Sequence, residues 1–232
     1  MSNSLQNRMK GGLKRLLLPA GPRPRKLYFG PARGCVVTID LQHSLRLYFG
    51  LYEKEIESYF RLLISPGDNC FDVGGQYGYD ALILAKISSG RVVSFECDPP
   101  AAAEMRRTFS YNRYRVETVE AFVGSSGKPG FISLDEAAES WFVPDFIKMD
   151  IEGAEAEALR GARRILSERR PNMIIEVHGE SIERECLGVL AEYDYGVEVV
   201  DRRTWLKEER PIEHNRWLIC RGRGGGQGTK RL

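Results

Sequence analysis

The chain of 232 residues is poor in histidine, with three, and its five cysteines are scattered along it. No Cys-x-x-Cys pair occurs, which argues against a disulfide framework or a cysteine zinc site; the thiols read as reduced, cytoplasmic ones. Acid is missing from both ends, since no Asp or Glu precedes Asp40 or follows Glu213. The segments 1–39 and 221–232 hold twelve of the 34 Lys and Arg and none of the 32 acids, so the body between them is acidic by ten charges. A nucleic-acid-binding domain would carry positive charge on its folded face, so no stable nucleic-acid binding is expected. No apolar run reaches membrane-spanning length, and Leu16-Leu17-Leu18 is too short for a signal-peptide core.

What remains is enough for one good core: 42% of the residues are hydrophobic, and one domain is the default at this length. Residues 1–25 read as a basic, flexible arm, in which Met9 to Leu18 could form a short amphipathic turn before Pro19. A solvated arm is favoured there over a weak contact with an anionic membrane or RNA. Residues 221–232 have the composition of a flexible basic tail. Between them, 26–64 suggests a hairpin (Lys26–Gly30 and Cys35–Asp40) followed by a helix from Tyr52 to Leu63. Over 65–220, strand patterns alternate with helical ones, including a helix expected from Ala154 to Arg169, which is the rhythm of an α/β sheet with crossover helices.

The densest chemical signal is Phe71-Asp-Val-Gly-Gly-Gln-Tyr-Gly78, a short apolar strand followed by a glycine-rich turn. Glycines at 74, 75 and 78 would let the backbone approach a ligand at the first strand–helix turn of a doubly wound sheet. A dinucleotide loop would need glycine where Gln76 and Tyr79 stand, and no Gly-Lys-Ser/Thr follows for a phosphate cradle. Asp72 before the loop repels a pyrophosphate but suits a ligand carrying an ammonium and a sulfonium, which points to S-adenosylmethionine. Glu96 ends the next apolar strand, 24 residues beyond Asp72, where an acid can accept bonds from both ribose hydroxyls. Cys97 and Asp98 would line the neighbouring wall. The plain alternatives are a glycine-rich turn without a ligand and a solvated acid at a strand end.

A second centre is Phe146-Ile-Lys148-Met-Asp150-Ile-Glu152-Gly-Ala-Glu155. Strand alternation would put Lys148, Asp150 and Glu152 on one side, facing the crevice at the carboxyl ends of the strands. Three charges in an apolar run are costly unless paired or facing a cleft. The alternative is a self-satisfied Lys–Asp pair with Glu155 as a helix-start acid. On the following strand, Glu176 and His178 share a face, and His178 sits where a general base would be wanted. A structural histidine is the competing reading.

These residues carry a resemblance. Asp72–Gly78, Phe95-Glu96, Phe146–Glu155 and Ile175-Glu-Val-His178 resemble the FkbM family of S-adenosylmethionine-dependent methyltransferases, from about Gly50 to Cys220. The resemblance implies a Rossmann-like class I methyltransferase fold: a seven-stranded, mostly parallel sheet with helices on both faces, its last strand supplied by an antiparallel hairpin. It also implies methyl transfer, usually to a hydroxyl of a sugar or natural product. Family members commonly have Ala-Asn where this chain has Gly75-Gln76, and the segment between Val123 and Leu134 is shorter than usual. The cofactor set is then Asp72, Gly74, Gly75, Gln76, Tyr77, Gly78, Glu96, Cys97 and Asp98, with Ala121 and Phe122 bordering the adenine. Asp150, Glu152, His178 and Lys148 form the catalytic set, one of the first three as base. A divalent ion shared by Asp150, Glu152 and Glu176 is the alternative, since carboxylate clusters suit Mg²⁺, and no metal is assigned. The partner is a small-molecule or glycan acceptor. Alternatives are an RNA or protein methyltransferase using the basic ends as tethers, a cofactor-binding scaffold without catalysis, and a nicotinamide oxidoreductase.

Overall fold

A computed structural model describes residues 20–125, 129–203 and 214–222. The segment Met9–Leu18, most of the basic arm and nearly all of the basic tail lie outside the described residues.

Short apolar runs become strands, and glycine or proline turns separate them. A two-stranded antiparallel sheet pairs β1 (Arg23–Lys26) with β2 (Val36–Ile39). The expected hairpin is therefore present, with its first strand a few residues earlier than the Lys26–Gly30 run. Two short helices follow, α1 (Leu45–Tyr48) and α2 (Glu57–Leu63). The helix expected from Tyr52 begins only at Glu57, because Glu53 adopts a left-handed φ of 43° that a helix cannot continue through. Then come β3 (Cys70–Val73), α3 (Tyr79–Ser88), β4 (Val92–Glu96), α4 (Pro99–Ser110) and β5 (Val116–Glu120). A two-stranded pair, β6 (Phe122–Val123) and β7 (Phe131–Ile132), precedes α5 (Leu134–Ser140), β8 (Phe146–Met149) and α6 (Glu155–Arg160). A π-helical turn (Ile165–Arg169), β9 (Asn172–Val177), α7 (Glu180–Glu192), β10 (Gly196–Asp201) and β11 (Arg216–Arg221) complete the order.

The helix expected over 154–169 is broken. Asp135 accepts the Arg164 and Ile165 N–H groups at 2.9 and 3.0 Å, and a Cβ on Gly161 would come within 2.3 Å of the Gly124 carbonyl oxygen. Contacts with the α5 layer thus override local helix propensity.

The main sheet has seven strands in the order β10-β11-β9-β8-β3-β4-β5. Strands β9, β8, β3, β4 and β5 pair in parallel, while β11 is antiparallel to both β9 and β10. The doubly wound fold and the closing antiparallel hairpin expected from the resemblance are both present. Alternate side chains face opposite layers. Cys70 and Phe146 join Leu82, Met105, Val37 and Phe60 under α2, α3, α4 and the N-terminal hairpin. Phe71, Val73, Ile147 and Met149 join Leu134, Leu159 and Leu190 under α5, α6 and α7. With both faces covered, polar chemistry is confined to the strand ends. Among the described residues, no helix is long and apolar enough to cross a membrane.

Candidate active site

The carboxyl ends of β3, β4, β8 and β9 deliver the chemistry. After Val73 the chain turns through Gly74, whose N–H donates to the Phe95 carbonyl at 2.9 Å, as does that of Gly75. The glycines prove necessary for a reason that ligand approach did not anticipate. A Cβ on Gly74 (φ 91°) would lie 1.8 Å from the Asp150 carbonyl oxygen, and one on Gly75 would lie 2.1 Å from Ser94 Oγ. The loop is packed tightly from beneath, which leaves Gln76 and Tyr77 exposed on its outer surface. Gly78 (φ 80°) then starts α3.

Glu96 ties this loop to the end of β4. One carboxylate oxygen accepts the Gln76 N–H at 2.8 Å and the other accepts the Asp98 N–H at 2.8 Å. Each oxygen keeps a lone pair for a further donor. Asp98 has a structural task of its own, accepting the Ala101 N–H at 3.1 Å as the cap of α4. Cys97 is exposed beside it. Ala121 donates its N–H to the Glu96 carbonyl at 3.1 Å, so the segment after β5 sits against the same strand end. There Phe122 stacks on Phe131 with ring centroids 5.1 Å apart.

Beneath the loop lies a buried polar row. Asp72, 1% exposed, accepts the Ser94 hydroxyl at 2.6 Å and stands opposite Lys148 across the β3–β8 pair. Lys148 is fully buried, which excludes it from direct contact with an acceptor in the cleft. Its Nζ lies 3.5 Å from Asp80, 3.6 Å from Glu53 and 4.0 Å from Glu176. Burial would lower its pKa, but the charges of Glu53, Asp80, Asp150 and Glu176 hold it well above the ordinary value. The acids pay for this crowding. Burial, then the Asp80 charge, push Asp72 up to about 7 and Glu53 well above the carboxylate range. Burial and the Asp150 charge raise Glu176. Five carboxylates surrounding one lysine leave the site short of positive charge.

Asp150 follows β8, and its N–H donates to the Val73 carbonyl at 2.8 Å. Its carboxylate lies 3.6 Å from His178 Nε2, and Glu176 lies 3.7 Å from the same nitrogen. His178 Nδ1 meets Glu155 at 2.9 Å, and Glu155 is fully buried. Burial acts to lower the His178 pKa, but the Glu155 hydrogen bond and the Asp150 and Glu176 charges outweigh it and raise the group.

Lys148, Asp150 and Glu152 therefore do not share one face. The strand ends at Met149, and Glu152, with φ 49°, is carried to an exposed turn ahead of Gly153. Glu155 occupies the inner position instead. Glu53 and Asp80 are further site residues that sequence reasoning left without a role, although Glu53 ends the Gly50–Glu53 run where the family resemblance begins. A cleft of about 920 Å³ lies at the opposite end of the sheet among Arg91, Arg113, Tyr114 and Arg115. It is remote from the convergence of acids, so it carries no part of the site.

Residues 132–210 match the family model described as the methyltransferase FkbM domain. That stretch includes the Lys148–Glu155 block and His178 but not the glycine loop. No curated protein matches the chain. Among solved structures, an FkbM methyltransferase from Methylobacillus flagellatus KT is 22% identical with a TM-score of 0.54, covering 78% of this chain and 53% of that one. A precorrin-6y C5,15-methyltransferase from Geobacter metallireducens GS-15 is 17% identical with a TM-score of 0.55, covering 73% and 88%. An rRNA methylase from Streptococcus thermophilus is 11% identical with a TM-score of 0.52, covering 74% and 98%. At these identities the structures establish a shared fold. The resemblance read from the sequence is thus matched by a family model, that of the methyltransferase FkbM domain, over residues 132–210, and the chain has a class I methyltransferase fold.

Proposed function

We propose that the protein transfers a methyl group from S-adenosylmethionine to a hydroxyl of a sugar, glycan or other small natural product. The observation that carries this reading is the charge deficit at the carboxyl ends of the strands. Five carboxylates, Glu53, Asp72, Asp80, Asp150 and Glu176, surround a single lysine beside the glycine loop. That donor set fits a ligand with two positive centres and would repel a pyrophosphate. Bound S-adenosylmethionine supplies a methyl carbon activated by a sulfonium.

The chain's residues supply placement and a proton sink. In this reading the Gly74–Gly78 backbone cradles the amino-acid end, with Asp72 acting from beneath as a buried charge. Glu96 takes the ribose hydroxyls with the oxygen lone pairs that Gln76 and Asp98 leave open. Cys97, Ala121 and Phe122 border the base. Asp150 and His178 face the acceptor, His178 being oriented by Glu155. Glu152 stands at the exposed rim, and Lys148 acts as the buried counter-charge that keeps the acids in place. The acceptor is proposed to be a small molecule or glycan, with no stable nucleic-acid partner, because the body between the basic ends is acidic by ten charges. Five free thiols support a cytoplasmic location.

The test is transfer of a labelled methyl group to a panel of sugars and hydroxylated small molecules, run beside a structured RNA at low and moderate salt. A labelled ether product, insensitive to salt, is expected. Labelled RNA with steep salt dependence would replace this acceptor class with nucleic acid. The His178→Ala variant should bind S-adenosylmethionine normally and lose transfer; wild-type turnover would remove His178 from the acceptor side.

A further inference from the structure

The carboxyl ends of β8 and β9 bring together three donor atoms whose arrangement the methyl-transfer reading leaves unexplained. His178 Nδ1 is held at 2.9 Å by a fully buried carboxylate, Glu155, which also accepts the Gly153 N–H at 3.0 and 3.1 Å. A carboxylate can only accept, so Nδ1 carries the proton and Nε2 presents its lone pair to the cleft. Facing that lone pair are two more acceptors, Asp150 at 3.6 Å and Glu176 at 3.7 Å. The three donor atoms lie within 4.8 Å of one another. These separations are too long for hydrogen bonds. They are close to the spacing of about 3–4 Å that ligands adopt around one cation at ~2.1 Å.

The surroundings have the form of a built site. Glu176 is oriented by Asn215 Nδ2 at 2.6 Å and Trp217 Nε1 at 3.1 Å, and Glu155 fixes the histidine tautomer as an outer carboxylate does at metal centres. The Asp150 oxygen that faces His178 is buried and has no hydrogen-bond partner among the described residues. Lys148, the nearest cation, is shared with Asp80 and Glu53 at shorter distances than its 4.0 Å to Glu176.

We propose that Asp150, Glu176 and His178 bind a divalent cation, and that this ion holds the acceptor hydroxyl. The second part rests on the methyl-transfer reading; the first does not. Two carboxylates and one imidazole form a mixed oxygen and nitrogen set that favours Mn²⁺ or Zn²⁺ over Mg²⁺. This departs from the sequence reading, which assigned no metal and weighed Glu152 rather than His178 as the third ligand. Glu152 is exposed on its turn, whereas His178 is aimed at both carboxylates. With the ion in place His178 is a ligand, the ion acidifies the hydroxyl, and the displaced proton leaves to water.

The experiment is titration of the chelator-treated full chain with Mn²⁺, following loss of the free-ion electron paramagnetic resonance signal, without cofactor or acceptor. One site per chain is expected. Binding should weaken at least tenfold in His178→Ala and Glu176→Gln. It should weaken about tenfold in Glu155→Gln, which removes only the orienting carboxylate. His178→Asp, which keeps a ligand, should retain the site, and Glu152→Gln should leave it unchanged. Absence of saturable Mn²⁺ or Zn²⁺ binding by the wild-type chain would overturn the proposal, as would binding indifferent to His178→Ala. Full methyl transfer in excess chelator would overturn the role in holding the acceptor. Cofactor binding measured in the same chelator tests the methyl-transfer reading separately, so failure of one is distinguishable from failure of the other.

Discussion

Asp72 gives the sharpest prediction because its carboxyl is both buried and placed among other acids. Its pKa moves from 3.8 to about 7 in the folded chain. A raised carboxyl means that the folded state binds the proton more tightly than the unfolded state does. The contribution is therefore fully present below pH 3.8 and is lost as pH rises through about 7. Roughly three pH units at ~1.4 kcal/mol each amount to about 4 kcal/mol of stability lost by the cofactor-free protein across that window. Glu53, Asp80 and Glu176 are raised too, so they act in the same direction. Asp72→Asn keeps an oxygen to accept the Ser94 hydroxyl and cannot ionise. Urea unfolding at pH 5 and pH 8 should show a steep loss of stability in the wild-type chain and one smaller by about 2–3 kcal/mol in the variant. S-adenosylmethionine should reverse the trend, because its positive charge favours the ionised carboxylate. Its stabilising effect should grow between pH 6 and 8 in wild-type protein and lose much of that growth in Asp72→Asn. Identical pH profiles for the two chains would refute the argument.

Other expectations follow from the same geometry. Lys148→Met strands Glu53, Asp80 and Glu176 without their counter-charge and should cost about 3–5 kcal/mol in urea unfolding, part of it recovered by adding Glu53→Gln. Glu96→Gln turns an amide NH₂ toward one of two backbone N–H donors and should weaken S-adenosylmethionine binding by roughly 1.5–3 kcal/mol, measured by calorimetry. Gly75→Ala would drive a Cβ into Ser94 and Met105, so the loop must shift; a cost of about 1–3 kcal/mol in thermal unfolding and loss of cofactor binding are expected.

Much of the fold was legible because periodicity is a local property. The β3, β4, β8 and β9 runs, the glycine turn and the order of crossovers can each be read within a dozen residues. What escaped depends on contacts distant in sequence or on one dihedral angle. Glu53 reaches Lys148 across 95 positions, and the left-handed φ that points it inward also ends the helix expected from Tyr52. Strand alternation brings Lys148 and Asp150 to the same polar cluster but fails at Glu152, beyond the end of the strand at Met149. The turn at Glu152 and Gly153 resets the phase, exchanging Glu152 for Glu155 as the inner acid. The loop glycines are legible in the sequence, but the packing that also demands them is not. Gly74 and Gly75 are required by Asp150 and Ser94 pressing from beneath, a constraint invisible until β4 and β8 flank β3. Glu176 and His178 were rightly paired at a strand end, yet their partners Glu155, Asn215 and Trp217 come from elements that only the folded sheet brings together.

The central claim is that this cleft binds S-adenosylmethionine through the glycine loop and Glu96. Isothermal calorimetry of the full chain with S-adenosylmethionine, S-adenosylhomocysteine and NAD tests it most directly. The account predicts one site for each of the first two, weakened in Glu96→Gln, and no heat from NAD. Binding of NAD, or no binding of S-adenosylmethionine at millimolar concentration, would contradict it.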